Sequence, residues 1–90
     1  MSISKDIEIV NKLGLHARAA AQLVQLASGF NSHIEIEKDG KRINGKSIMG
    51  VMMLAASKGS TITLHASGED EQDSIDELSR LINNRFNEDE

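Results

Sequence analysis

Residues 33–44 read HIEIEKDGKRIN, and this stretch decides the fold that we predict. Apolar and polar residues alternate over residues 33–38, and a second short run with strand character covers residues 41–44, as expected for strands that bury one face. Asp39 and Gly40 separate the two runs. A type I′ turn needs positive φ at both central residues, which aspartate and glycine tolerate, so the stretch predicts an antiparallel hairpin.

The segments on either side of the hairpin supply the other elements of a βαββαβα order. Their apolar residues recur at strand or helix spacing and predict a strand over residues 3–10, helices over 17–28 and 48–55, a strand over 61–66 and a last helix whose start lies in the acidic stretch 68–73. The apolar face of that last helix consists of Ile75, Leu78, Ile82 and Phe86. Residues 87–90 form an acidic tail that we expect to be frayed.

Each predicted strand carries one apolar face, so we expect helices to cover the sheet on one side only. The pattern therefore predicts an α+β fold of two layers, in which the helices lie on the apolar face of an antiparallel sheet. The 90 residues are expected to form a single domain, because a chain of this size buries one modest core.

Composition narrows the class of protein. A formal charge of −4 argues against a general nucleic-acid binder, and two Phe with no Trp or Tyr leave no stacking platform for bases. The absence of Cys excludes disulfides and thiolate metal sites, and the three histidines are not at metal-ligand spacing, so we expect no metal and no cofactor. The longest apolar run, residues 48–56, is too short for membrane insertion, and the N-terminus lacks a secretory signal, so we expect a cytoplasmic protein.

Residues 14–18, Gly-Leu-His-Ala-Arg, place a histidine where the first strand gives way to the first helix. A helix N-terminus offers unpaired N–H groups and the positive end of the helix dipole, which together bind anions. His16 could act there as a nucleophile, with Arg18 as a forked, permanently charged donor for phosphate. The alternative is that His16 is only a solvated or capping side chain. The functional role is favoured by the helix start, by Arg18 and by Gly14, which permits close approach. His33 and His65 are expected to be surface residues.

Residues 40–47 match the G-x-x-x-x-G-K-[ST] pattern letter for letter. In nucleotide-binding proteins this loop joins a buried parallel strand directly to a helix. Here Gly40 belongs to the predicted hairpin turn and residues 41–44 to a strand, so we interpret the match as a coincidence. A nucleotide enzyme that uses this segment is an alternative hypothesis, and titration with Mg-ATP decides it.

Ser47 and the apolar residues after it each allow two interpretations. By its residues alone, Ser47 is better explained as a helix N-cap than as a phosphorylation site beside Lys46. Ile48, Met49 and Met52 exceed what one face of a short helix can bury. They belong either to a well-buried helix or to an exposed surface that fits partner proteins.

Two blocks of the sequence, residues 14–18 (GLHAR) and 46–52 (KSIMGVM), closely resemble HPr, the histidine-containing phosphocarrier family of the bacterial phosphoenolpyruvate-dependent phosphotransferase system. The stretch 68–71 (GEDE) fits as well, and the resemblance spans essentially the whole chain. It implies an open-faced β-sandwich, with a four-stranded antiparallel sheet and three helices on one face.

The resemblance also implies roles for particular residues. His16 would take a phosphoryl group on Nδ1 from phospho-Enzyme I and pass it to a histidine of an EIIA-type protein, while the helix N–H groups at Ala17 and the side chain of Arg18 stabilise it. Ser47 matches the serine that HPr kinase/phosphorylase modifies in some members, which reverses the interpretation from its residues alone. The family commonly has proline at the position of Ala19, and alanine there costs about 0.4–1 kcal/mol by loosening the unfolded chain.

A surface for partners is implied in the same way. It would comprise Ile48, Met49 and Met52 with Ala21 and Gln25 of the first helix. We expect a monomer whose final acceptor is either a sugar permease or a regulatory EIIA. The alternative function is a chiefly regulatory protein-binding module, controlled through the serine, with phosphotransfer secondary.

Overall fold

The computed structural model describes residues 2–89 and contains one four-stranded antiparallel sheet in the order β1-β4-β2-β3. Its strands are β1 (Ser2–Glu8), β2 (His33–Lys38), β3 (Lys41–Asn44) and β4 (Thr61–Ser67). Its helices are α1 (Ala17–Ser28), α2 (Ile48–Met53) and α3 (Glu71–Asn83). The last strand in sequence pairs with both the first and the second, so the sheet forms only when distant parts of the chain come together. The predicted open-faced α+β sandwich is confirmed.

One face of the sheet is buried and the other is polar. In the β2–β4 pair, Ile34 lies opposite Ala66 and Ile36 opposite Leu64, and all four side chains are buried. His65, between the two buried residues of β4, is half-exposed on the other face. This alternation is the period of two that the sequence predicted. The helices cover the apolar face, with a core that includes Leu23, Val24 and Ala27 of α1 and Ile75, Leu78 and Ile82 of α3.

The hairpin is confirmed in its local geometry. Asp39 and Gly40 have φ values of 52° and 82°, and Lys38 lies opposite Lys41. Both central residues of the turn therefore have the positive φ of a type I′ turn. Residues 41–44 pair with β2 as a strand, so the segment 40–47 is a hairpin turn and an antiparallel strand rather than a phosphate-binding loop.

Two predictions about helix ends were wrong. The second helix ends at Met53, two residues before the predicted boundary, and Ala55 has a φ of 50°. The chain turns there because Ala56 must reach the loop before α1, where its carbonyl accepts a hydrogen bond from Leu15 N–H at 2.8 Å. The third helix ends at Asn83, so Phe86 does not lie on its face.

Phe86 instead lies in a short turn, Arg85–Asn87, and is fully buried. The three residues have φ values of 56°, 53° and 62°. Left-handed backbone costs roughly 1–2 kcal/mol for each such residue, and burial of the phenyl ring offsets that cost. The turn directs the chain back towards the start of α1. Asn87 and Glu88, whose N–H groups donate to the carbonyls of Asn84 and Arg85, are consequently not part of the frayed tail that we predicted; Glu90 lies outside the described residues.

Asp70 connects the start of α3 to the loop before β2. Its carboxylate accepts hydrogen bonds from the Ser32 hydroxyl and from the backbone N–H groups of Asn31 and Ser32, the latter two at 2.9 Å. The Ser32 hydroxyl has the largest effect and the Asn31 N–H the next largest, and together they lower the pKa of Asp70 below its ordinary value of 3.8. These bonds favour the ionised carboxylate and hence the folded chain.

This shift predicts a pH dependence of stability. Because the folded state binds the Asp70 proton more weakly than the unfolded state, the stabilisation is present above pH 3.8 and is lost as the pH falls through the folded-state pKa. Urea unfolding should therefore show wild type more stable than Asp70→Asn near neutrality, with the gap narrowing in acid. Asp73→Asn, which removes a charge from an exposed position in the first turn of the same helix, is the control, and its gap to wild type should narrow less than that of Asp70→Asn. A gap for Asp70→Asn that stays constant with pH contradicts the argument.

Among residues 2–89, no helix is long and apolar enough to cross a membrane.

Candidate functional site

His16 is the N-cap residue of α1, with the extended backbone (φ −71°, ψ 176°) typical of that position. The first helical hydrogen bond runs from Ala20 N–H to the His16 carbonyl at 2.8 Å. The N–H groups of Ala17, Arg18 and Ala19 therefore have no partner within the helix. The N–H group of Ala19 is one of these three. Proline, which lacks an N–H group, would therefore cost no helical hydrogen bond at this position.

The loop before His16 is pressed against the segment that follows α2. Gly14 has a φ of 66°, and a Cβ atom at this position would lie 2.5 Å from the Ala56 carbonyl oxygen and 2.8 Å from Ser57 Cα. Glycine is required here both by its backbone conformation and by this contact. We expected Gly14 to permit close approach in support of a functional His16; in the structure the atoms that approach it belong to the backbone of Ala56 and Ser57.

Glu88 reaches the ring of His16. Nε2 of His16 lies 2.6 Å from Glu88 Oε2, and the two side chains are 29% and 12% exposed. The other carboxylate oxygen, Oε1, accepts a hydrogen bond from Asn11 Nδ2 at 3.1 Å, while the same amide donates to the Gly14 carbonyl at 2.8 Å. Asn11 is fully buried. A buried asparagine thus joins the loop before α1 to the end of the chain.

Sequence reasoning missed both Glu88 and Asn11. Asn11 was assigned to a loop, and Glu88 to the acidic tail. His16 and Glu88 are 72 residues apart, so neither helical nor strand periodicity connects them. A single acidic residue near the end of the chain gives no local signal, and only the folded chain brings it to the ring.

The charge state of Glu88 follows from opposing influences on its pKa. Burial is the largest and raises the pKa, but the hydrogen bonds from His16 and Asn11 and the charges of His16 and Arg18 together outweigh it. The pKa of Glu88 is therefore lower than its ordinary value of 4.5. The group is a carboxylate at neutral pH, and a carboxylate can only accept hydrogen bonds.

His16 and Arg18 line the same open depression on the surface. The lining is completed by Lys12, Leu13, Glu88 and Asp89. Arg18 is exposed, so its guanidinium group is available to an anion at the helix N-terminus. Within the described residues, no group of three or more His, Asp or Glu side chains is placed to hold a metal ion.

Ser47 is the N-cap of α2, and its hydroxyl oxygen accepts a hydrogen bond from Gly50 N–H at 3.1 Å. The predicted cap is therefore confirmed, and the residue is half-exposed. Lys46, the neighbour of Ser47 in sequence, donates from Nζ to the Phe30 carbonyl at 2.7 Å. Its charge is engaged at the end of α1.

Most apolar residues of α2 are exposed, which rules out the interpretation of α2 as a well-buried helix. Ile48, Met49 and Met52 are all exposed, Met49 to 76%, whereas Val51 is fully buried. Met53 is exposed as well, although the sequence did not single it out. A short helix has room for few residues on its inner face, so the others remain in solvent.

The remaining residues predicted for a partner surface lie on α1, against which α2 packs. Gln25 is exposed and Ala21 is half-buried. Leu13, in the loop before α1, is a further exposed apolar side chain. Exposed apolar residues therefore occur both beside His16 and on α2.

Comparison with known proteins identifies the class to which this fold belongs. A protein-family model described as "PTS HPr component phosphorylation site" matches residues 3–84. The chain is 54% identical over 88 residues to phosphocarrier protein HPr of Cupriavidus necator, covering 98% of this chain and 99% of the relative. The HPr-like protein Crh of Halalkalibacterium halodurans is 52% identical over 80 residues, which cover 89% of this chain and 95% of Crh.

Solved structures agree. A crystal structure of HPr-C-His from Thermoanaerobacter tengcongensis superposes with a TM-score of 0.94 at 50% identity, covering 98% of this chain and 99% of that one. Crh of Bacillus subtilis, described as a swapped dimer, gives a TM-score of 0.75 at 46% identity and covers 92% and 95% of the two chains. The chain belongs to the HPr family of phosphocarrier proteins of the phosphotransferase system.

Proposed function

We propose that this protein accepts a phosphoryl group from phospho-Enzyme I on His16 and passes it to a histidine of an EIIA-type protein. One observation carries the proposal: His16 is partly exposed at the N-terminus of a twelve-residue helix. The free N–H groups of Ala17 and Arg18, the helix dipole and the Arg18 side chain all favour a dianion at that point.

The proposed transfer needs no metal and no other cofactor. The lone pair of the imidazole nitrogen attacks phosphorus, and the bond between phosphorus and the donor breaks with its electrons left on the donor. Backbone N–H groups and Arg18 stabilise the phosphoryl group on His16. Because the ring is open to solvent, the same nitrogen can reach a donor and then an acceptor.

The reaction also suits the ordinary chemistry of histidine. A neutral imidazole ring has one nitrogen with a free lone pair, and that nitrogen can act as a nucleophile. The exposed apolar residues Ile48, Met49 and Met52, with Ala21 and Gln25, are the proposed docking surface for both partners. A small surface of this kind suits brief encounters, which a carrier requires.

Incubation with phosphoenolpyruvate and Enzyme I tests the proposal. One acid-labile phosphate per chain should appear, and peptide mapping under alkaline conditions should locate it on His16. Addition of an EIIA-type protein should then remove it. A phosphate that survives acid, or one that maps to another residue, contradicts the proposed carrier.

A second candidate function is regulation through Ser47. It is supported by the half-exposed hydroxyl of Ser47 at the start of the apolar α2 helix and by the 46% identity to Crh of Bacillus subtilis, which is described as a catabolite repression protein. An HPr kinase/phosphorylase would add a phosphate with nearly two negative charges next to the proposed docking surface. Such a charge should weaken contacts that depend on exposed apolar side chains.

The variant Ser47→Asp separates the role of Ser47 as a helix N-cap from its proposed role in regulation. Aspartate is as good an N-cap as serine, so the thermal stability should change little, while Ser47→Ala should lose about 1 kcal/mol of unfolding free energy. The added charge should slow phosphoryl transfer from Enzyme I by about 10-fold, the equivalent of about 1.4 kcal/mol, and leave His16 able to accept phosphate. Equal transfer rates for the aspartate and alanine variants would argue against control by charge at this position.

We propose further that the chain acts as one domain of residues 1–90, as a monomer in the cytoplasm. Sedimentation of the purified protein measures its state of association. A dimer would instead match what is described for Crh of Bacillus subtilis.

A further inference from the structure

We infer that Glu88 is a positioning residue that keeps the imidazole proton of His16 on Nε2 and thereby leaves Nδ1 as the nitrogen that accepts the phosphoryl group. This inference rests on the proposed function and adds to it a residue that determines which ring nitrogen reacts. Glu88 lies beyond residues 3–84, the part of the chain that matches the family model.

The contact has the geometry of a charge-assisted hydrogen bond. Glu88 Oε2 lies 2.6 Å from His16 Nε2. Among the described residues, Glu88 is the hydrogen-bond partner of the His16 ring. Asn11 Nδ2 binds the second oxygen of the carboxylate at 3.1 Å. Since both oxygens have donors, the carboxylate is held in one orientation. The donor Asn11 is itself buried and bonded to the Gly14 carbonyl.

The backbone holds Glu88 in place from the other side. Its N–H donates to the Arg85 carbonyl at 2.9 Å, and Asn87 N–H donates to the Asn84 carbonyl at 3.0 Å. These bonds close the left-handed turn whose centre is the buried Phe86. Glu88 thus stands on strained backbone that core burial maintains, which is how a side chain near a chain end can be positioned with precision.

The chemistry of imidazole connects this contact to reactivity. A neutral ring has one nitrogen that donates and one that accepts, and the partner of one nitrogen decides the role of the other. An ionised Glu88 accepts only, so Nε2 carries the proton and Nδ1 keeps its lone pair. Nδ1 then forms the bond to phosphorus, and the bond to the donor breaks with its electrons left on the donor. The Nε2 proton stays in its hydrogen bond with Glu88, so the step needs no proton transfer.

The Glu88 carboxylate also stabilises the positive charge that develops in the His16 ring. When Nδ1 bonds to phosphorus, positive charge spreads over the imidazole, and Glu88 accepts a stronger hydrogen bond from Nε2. Arg18 and Lys12 line the same depression, as does Asp89. The exposed guanidinium of Arg18 offsets part of the repulsion between Glu88 and an incoming dianion, which binds at the other ring nitrogen.

Ring ¹⁵N chemical shifts of His16 in the unphosphorylated protein provide the first test, measured at a pH where the imidazole is neutral. Wild type should carry its proton on Nε2. Glu88→Ala should shift a measurable fraction of the ring to the Nδ1-protonated form, whereas Glu88→Gln, whose amide oxygen still accepts, should retain the Nε2-protonated form. This readout does not depend on any phosphotransfer partner.

The second readout is the initial rate of transfer from phospho-Enzyme I. Glu88→Ala should be slower by about 10-fold, because the charge-assisted hydrogen bond to the ring is lost, and Glu88→Gln should recover part of that loss. Glu37→Gln is the matched control, because Glu37 Oε1 lies 2.9 Å from Nε2 of His65 on the open face of the sheet. It should leave the rate unchanged.

The outcomes separate the two claims. Three results would each overturn the inference about Glu88. The wild-type ring could carry its proton on Nδ1, the tautomer could be the same in wild type and Glu88→Ala, or the tautomer could change while the transfer rate does not. If wild-type His16 takes no phosphate while the tautomer responds to Glu88 as expected, the proposed function fails and the positioning contact stands.

Discussion

His16→Ala is expected to take no acid-labile phosphate from phospho-Enzyme I, while His65→Ala takes as much as wild type. The alanine variant keeps the helix N-terminus and Arg18, so it keeps the groups that attract an anion. It lacks the nitrogen that forms the bond to phosphorus, and no side chain at the start of α1 replaces it. The loss should therefore be complete rather than partial, and it is measured as phosphate bound per chain.

His65 is a demanding control because its immediate surroundings resemble those of His16. Its Nε2 atom also has a glutamate partner, Glu37, at 2.9 Å. It differs in lying in the middle of β4 on the open face, away from any helix N-terminus. If His65→Ala loses phosphate as well, or if His16→Ala still accepts it, the result contradicts our argument. The position at the start of a helix would then not be what makes His16 reactive.

Phe86→Ala is expected to have the largest effect on stability. Phe86 is fully buried, and truncation of a buried phenylalanine costs about 3–5 kcal/mol. Relaxation of the left-handed turn around it returns part of that cost. A net loss of about 3 kcal/mol is expected, equivalent to a Tm lower by roughly 12–24 °C for a domain of this size.

The same variant should release Glu88. Without the phenyl ring, burial no longer maintains positive φ at residues 85–87, and the carboxylate loses its place at His16. Phe86→Ala should then show the ring tautomer and slow transfer of Glu88→Ala at temperatures where it is still folded. Phe30→Ala removes the other phenylalanine, which packs half-buried against the core; it should cost about 1 kcal/mol and leave the tautomer unchanged. A Phe86→Ala protein with wild-type stability, or with the wild-type tautomer, contradicts this account.

Much of the fold could be predicted because its determinants are local. The hairpin over residues 33–44 follows from two residues that tolerate positive φ between short strand segments. The boundaries of α1 were predicted at the observed residues, Ala17 and Ser28, because its apolar period, its start and its terminal glycine lie within a short window. His16 and Arg18 were found for the same reason: a site at a helix start needs only neighbours in sequence.

The sequence by itself therefore determined the order of strands and helices, the polar and apolar faces of the sheet, and the histidine at the first helix. The tertiary structure alone decided that α2 ends at Met53, that its methionines stay in solvent, and that Glu88 meets His16. That last contact depends on a balance between the strain of a left-handed turn and the burial of Phe86. The burial of Phe86 cannot be evaluated until the core exists, because it depends on residues far apart in the chain.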